Sequence, residues 1–362
     1  MSTSKDKHPF SYQRATIKEV AKIAGVSVAT VSRVINKNYY VSPEITDRVN
    51  KAILECGYVP NSIARSLKNN TTYLIGFIVS DISNSHLMSI ARAIENVIRE
   101  SNYNLLVCST ENDPVLEKKY IEAFLSRRIS GIILHSTGLL DEYVAEVSKR
   151  IPITLVYRKV KSSSFIGDWV DTNGKRGAFL LTQHLIQQGH KRIGVINGKM
   201  QFSTAQDRYQ GYRDALKASG IPIQEELQYF GDFTESSGYQ GAEYLLSLQE
   251  PPSAILCMNN VIAYGTLKYL FSHGVRVPED VSVINYGEIE YADTMKVNLT
   301  RIPQDPWVLG QKAGELILER INNPSLPNRE IIFDAEIVLG NSVRKVTSDR
   351  MSDRKGNFMI RR

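Results

Sequence analysis

The chain has 362 residues, 42% of them apolar and 23% charged, with a formal net charge of +6. At roughly 150 residues per domain this predicts two or three domains, and the proportions exclude a mainly disordered chain. No apolar run reaches the roughly 18 residues of a membrane helix, the N-terminal MSTSKDKHPFSYQR lacks the apolar core of a secretory signal, and Cys56, Cys108 and Cys257 have neither disulfide nor metal spacing, so a cytoplasmic protein is expected.

The charge is unevenly placed. Residues 1–72 carry 11 Lys/Arg against 5 Asp/Glu, residues 344–362 carry 7 against 2, and the stretch between carries 26 against 31. A basic head on an acidic body suggests that the head meets a polyanion.

The segment TIKEVAKIAGVSVATVSRVINKN (16–38) reads as two short helices around a tight turn. Thr16 with Glu19 forms a capping box, Ile17, Val20, Ala21 and Ala24 share one face, and Gly25 suits the left-handed end of the first helix. Ser27 caps the second helix, whose buried stripe is Val31, Val34 and Ile35. Its other face shows Ala29, Thr30 and Arg33: small groups let a helix sink into the major groove, and Arg reaches guanine in bidentate fashion. A third helix follows, with Ser42 as its cap, Pro43 in its first turn and Ile45, Val49, Ala52 and Ile53 inside. This is a helix-turn-helix unit, and the expected DNA contacts are Thr16, Ser27, Val28, Ala29, Thr30, Ser32, Arg33, Asn36 and Tyr58.

TIKEVAKIAGVSVATVSRVIN, followed by GYVPNSIARSLK, closely resembles the lactose-repressor (LacI/GalR) family of bacterial transcription regulators. The resemblance implies a hinge helix that folds in the minor groove, with Leu67 wedged at a base step and Asn61, Ala64 and Arg65 lining the groove.

From residue 73 onward, strands are expected at 73–80, 104–109, 131–134, 153–156, 192–197, 227–231, 254–257 and 281–286. Amphipathic helices lie between them, such as 87–101, 114–127, 174–188, 205–218 and 260–272. Alternation of this kind implies parallel sheets, and some 270 residues imply two lobes. DISN, HLIQQGHKRIGVING and VPEDVSVINYG continue the resemblance through the body, implying a fold like that of periplasmic sugar-binding proteins with the effector between lobes. The expected organisation is an arm (1–15), a helix-turn-helix domain (16–60), a hinge and linker (61–72), a two-lobed effector and dimerisation domain (73–343) and a basic tail (344–362). Chain crossings between lobes are expected near 171–174, 301–304 and 333–336.

Ligands of wound α/β sheets sit beyond the carboxyl ends of strands. Those ends supply His86, Leu87, His135 and Arg158 from the first half, and Thr204, Arg208, Phe233, Asn259, Gly287 and Glu288 from the second. The resemblance assigns polar contacts to Thr204 and Arg208, ring stacking to Phe233 and a hydroxyl to Asn259. Where the family usually has Gly-Phe/Tyr-Asp-Asp/Asn, this chain has Asn285-Tyr286-Gly287-Glu288, so the Asp that accepts from two sugar hydroxyls is missing. With Arg158 and Arg208 kept, that tilts the cleft towards a sugar acid or sugar phosphate. Alternatively, Arg158 pairs with a carboxylate and Glu288 serves a neutral sugar.

No catalytic constellation is visible, neither HExxH, GxSxG, CxxC nor a phosphate loop, so an enzyme is not expected and no cofactor is implied. The reading is therefore a repressor of carbohydrate genes that binds a palindromic operator as a homodimer. A regulator controlled by a protein co-repressor is the alternative, and a sugar-modifying enzyme a remote one. The tail lacks the leucine heptads that family tetramers use.

Overall fold

A computed structural model describes residues 15–36, 39–58, 72–294 and 296–346. The chain divides into two compact units at Thr72.

In the first unit, α1 (Ile17–Ala24), α2 (Val28–Asn36) and α3 (Pro43–Cys56) enclose a core of Val20, Ala21, Ala24, Val31, Val49 and Ala52. The Glu19 N–H donates to Thr16 Oγ1 while the Thr16 N–H donates to the Glu19 carboxylate at 2.6 Å, which fixes the start of α1. Gly25 ends that helix at φ 63°, a conformation open to Gly at little cost. Ser27 Oγ accepts the Thr30 N–H at 3.1 Å and starts α2. Arg48 on α3 donates to the Ala24 carbonyl at 2.6 Å, clamping α3 to the end of α1. One local expectation fails: Ser42 stands at the start of α3, but its hydroxyl makes no capping bond. Pro43 does occupy the first helical position, where its missing N–H is no loss.

The second unit holds two parallel sheets. The first contains β1 (Leu74–Val79), β2 (Asn104–Ser109), β3 (Gly131–Leu134), β4 (Ile153–Val156), β5 (Asp168–Thr172) and β11 (Arg329–Phe333), in the order β11-β5-β4-β3-β1-β2. The second contains β6 (Ile193–Asn197), β7 (Gln228–Phe230), β8 (Ala254–Cys257), β9 (Ser282–Tyr286) and β10 (Thr300–Ile302), in the order β10-β9-β8-β6-β7. Helices α4 (Ser85–Glu100), α5 (Pro114–Ser126), α6 (Asp141–Ser148) and α11 (Pro306–Asn322) belong to the first lobe. The second lobe has α7 (Gly174–Gln187), α8 (Ser203–Ala218), α9 (Glu235–Ser247) and α10 (Asn260–Ser272). Each sheet buries apolar side chains on both faces, as parallel strands covered by crossover helices must.

The chain passes between the lobes three times: after β5, after β10 and after β11. Among the described residues no helix is long and apolar enough to cross a membrane, and no group of three or more His, Cys, Asp or Glu could hold a metal ion.

Strands β5, β10 and β11 escaped the sequence reading. Asp168 opens β5 fully buried, receiving hydrogen bonds from both Arg320 and Arg329 at 2.8 Å. Burial alone would raise its pKa, but those two guanidiniums hold the carboxyl below its ordinary value. Removing Asp168 leaves a buried guanidinium without its counter-charge, so Asp168→Ala should lower stability by about 3–5 kcal/mol. Thermal and urea unfolding of the full chain measure this; a loss below about 1 kcal/mol would contradict the anchoring role.

Candidate nucleic-acid interface and effector cavity

On the first unit, Ala29, Arg33 and Asn36 recur at helical spacing along the exposed side of α2, opposite buried Val31. Thr16, Ser27 and Val28 are also exposed, whereas Thr30, Ser32 and Tyr58 are half-buried, Tyr58 packing on the core. The Thr30 hydroxyl lies 2.9 Å from Ser27 Oγ, and Asn36 donates to the Ser32 carbonyl at 2.8 Å. Asn61, Ala64, Arg65 and Leu67 lie outside the described residues, as do the arm (1–14) and the tail beyond 346. The sequence reading passed over Tyr39, whose ring, 72% exposed, lies 5.5 Å from the Arg33 guanidinium. Adjacent tyrosines in a connecting loop were the available signal, but a loop has no periodicity to expose them.

In the second unit a cavity of about 370 Å³ lies where the carboxyl ends of both sheets converge. His86, Leu87, His135 and Arg158 line it from the first lobe, and Thr204, Arg208, Phe233 and Asn259 from the second. Gly287 and Glu288 do not line it. Gly287, at φ 113°, turns the backbone after β9, and the Glu288 carboxylate is drawn away to Arg301 at 3.0 Å. The alternative in which Glu288 serves a ligand is therefore corrected: its charge is already spent on a partly buried ion pair.

Arg158 is 3% exposed and donates to Asn112 Oδ1 at 2.7 Å and the Ser136 carbonyl at 3.0 Å, its guanidinium 3.7 Å from the Phe202 ring centre. Arg208 is 6% exposed, donates to the Met258 carbonyl and lies 4.0 Å from the ring centre of Tyr286. The Nε of each is buried without a hydrogen-bond partner, and neither has a carboxylate within ion-pair distance among the described residues. Burial, opposed in part by the Glu117 carboxylate and reinforced by Arg208, brings Arg158 down to about 9, so it remains charged at neutral pH.

Burial shifts the titratable groups around them. Burial, reinforced by Arg208, lowers His86 to about 4, and its Nε2 is hydrogen-bonded to the Tyr157 hydroxyl. Burial, reinforced by Arg158 and Arg208, holds His135 well below its ordinary value. Glu117, fully buried behind Arg158, accepts from Ser136 and the Thr137 N–H, and burial pushes its pKa up. Asp171 near Arg208 is pushed well above the carboxylate range by burial.

Three non-glycine residues at positive φ, Glu111 (53°), Asn112 (59°) and Tyr157 (63°), all line this cavity. Left-handed backbone costs a bulky residue about 1–3 kcal/mol and persists only where the surroundings hold it. For Tyr157 the holders are its N–H to the Val170 carbonyl at 2.9 Å and its carbonyl, which accepts from Trp169 Nε1 at 3.0 Å. Tyr157, Asn112 and Gln304 were missed in the sequence. Their only signal was position just past a strand end, and β10, which precedes Gln304, is too short to read.

Several known proteins resemble this chain. Residues 16–61 match the model of bacterial regulatory proteins of the lacI family, and residues 182–343 match a periplasmic binding protein-like domain. The HTH-type transcriptional repressor PurR of Actinobacillus pleuropneumoniae is 35% identical over 337 residues, 92% of this chain and 99% of the relative. That of Aliivibrio salmonicida is 33% identical over 332 residues, 92% and 100%. Among solved structures, the lac repressor dimer bound to operator and the anti-inducer ONPF is 26% identical, with a TM-score of 0.79 over 92% of this chain and all of that one. The transcriptional regulator CelR in complex with cellobiose is 27% identical, with a TM-score of 0.68 over 91% and 100%.

The depressed His86 has a consequence for stability. Between pH 6.5 and about 4 the unfolded chain binds a proton at this position that the folded chain refuses. Stability therefore falls as pH drops through that window, by roughly 3 kcal/mol in all from this group. Melting curves from pH 7 to 4.5 should fall less steeply for His86→Gln than for the unaltered chain; parallel slopes would contradict the assignment.

Proposed function

Because this chain belongs to the LacI family of bacterial regulatory proteins, we propose that it is a cytoplasmic repressor of carbohydrate-metabolism genes, binding a palindromic operator as a homodimer and switched by a small sugar-like effector between its lobes. The observation that carries this reading is the cavity: both lobes contribute buried polar side chains and aromatic faces to one cleft of small-molecule size. The solved complex of CelR with cellobiose supports a sugar-like occupant, whereas the PurR relatives favour a purine-related one.

In this reading α2 enters the major groove, Ala29 permits close approach and Arg33 reads a base edge. A single short helix reads few bases, so two copies on a two-fold operator are required. Effector binding alters the angle between the lobes and, through a dimer of bodies, the separation of the two DNA-binding units. The coupling is expected to lie in the usual range of about 1–3 kcal/mol.

Arg33→Ala should weaken binding to an operator selected from random duplexes by about 1–3 kcal/mol, with a smaller loss on random DNA. Equal losses on both, measured by fluorescence anisotropy at one salt concentration, would reduce Arg33 to a phosphate contact.

A further inference from the structure

We propose that the effector carries a dianionic phosphate group gripped jointly by Arg158 of the first lobe and Arg208 of the second, so that its charge draws the lobes together. This deepens the reading above and rests on it.

The two guanidiniums are fixed without being neutralised. Arg158 is held by an amide oxygen, a backbone carbonyl and the Phe202 ring; Arg208 is held by a backbone carbonyl and the Tyr286 ring. Such partners set the plane of each fork and leave its charge intact. Each keeps a buried Nε–H with no acceptor, and a buried unmade hydrogen bond is costly. His135, also lining the cavity, has an unpartnered buried Nδ1. Two cationic side chains on one cavity, neither with a carboxylate in ion-pair distance among the described residues, point to a ligand rich in acceptors.

Charge then selects the class. The carboxylates near the two forks make their hydrogen bonds elsewhere, Glu117 with Ser136 and Thr137 and Asp171 with the Thr172 N–H at 2.7 Å, and act on the guanidiniums only through space, without an ion pair. Asp81 and Glu111 line the cavity as well, but from its exposed rim, where water screens them. A carboxylate ligand would answer one buried cation and leave the other. A phosphate monoester carries about −1.5 to −2 at neutral pH and three acceptor oxygens, which matches both forks. Phe233, Thr204 and Asn259 remain for the organic part.

Contrast another buried guanidinium of the body, Arg320. It is matched in bidentate fashion by Asp168 at 2.8 Å, as a structural cation is.

The test is calorimetric titration of the full chain with inorganic phosphate, acetate, glucose and glucose 6-phosphate at constant ionic strength. Inorganic phosphate should bind once per chain, compete with glucose 6-phosphate and exceed acetate at least tenfold. Arg158→Gln and Arg208→Gln should each weaken phosphate at least tenfold. If a variant does not fold, the phosphate-to-acetate ratio of the unaltered chain decides by itself. Acetate binding as tightly as phosphate, or phosphate binding indifferent to both substitutions, overturns the proposal. A neutral sugar that outcompetes phosphate and shifts operator affinity overturns it while leaving the effector-gated reading intact. Operator binding that ignores every small molecule overturns both.

Discussion

Two like charges pressed towards one cleft from opposite lobes govern the chemistry of the body. A guanidinium taken out of water must be compensated, and Arg158 and Arg208 are compensated only in part, by neutral acceptors and ring faces. Burial lowers His86 and His135, reinforced by Arg208 at the first and by both arginines at the second, and the two guanidiniums give the cavity its sign. The protein does pair buried arginine fully elsewhere, where Arg320 meets Asp168. Among the described buried arginines, Arg301 and Arg320 are ion-paired and the two in the cleft are not.

The same residues touch the segments that join the lobes. Tyr286, beneath the Arg208 guanidinium, donates its hydroxyl to Thr172 at 3.3 Å, and Gln304 donates to the same Thr172 oxygen at 2.6 Å. Thr172 ends β5 at the first crossing, and Gln304 stands in the second. Arg208, which the effector is proposed to contact, thus packs next to two of the connections between the lobes. The strained Tyr157 adds stiffness on the first-lobe side, fixing its hydroxyl on His86 and turning the chain so that Arg158 follows into the cleft.

Legibility in the sequence followed locality. The helix-turn-helix unit is built from contacts a few residues apart, so caps, glycine and apolar spacing betrayed it almost completely, Ser42 excepted, whose hydroxyl makes no capping bond. The buried central strands read easily as apolar runs. Strand β5 did not, since Asp168 and Asp171 look like surface residues until Arg320 and Arg329, more than 150 positions away, are seen to meet Asp168. Strand-end logic found eight lining residues but failed at Gly287 and Glu288, where Arg301 from the neighbouring strand claims the carboxylate. The hinge residues Asn61, Ala64, Arg65 and Leu67 rest on family resemblance alone.

The most direct measurement is the affinity of the full chain for its selected operator, at fixed ionic strength, with and without a saturating sugar phosphate, repeated for Arg208→Gln. The account predicts a change of about 5- to 150-fold in the unaltered chain, corresponding to a coupling of 1–3 kcal/mol, and its loss in the variant. An operator affinity that stays constant as the cavity fills would contradict the coupling of cleft to DNA.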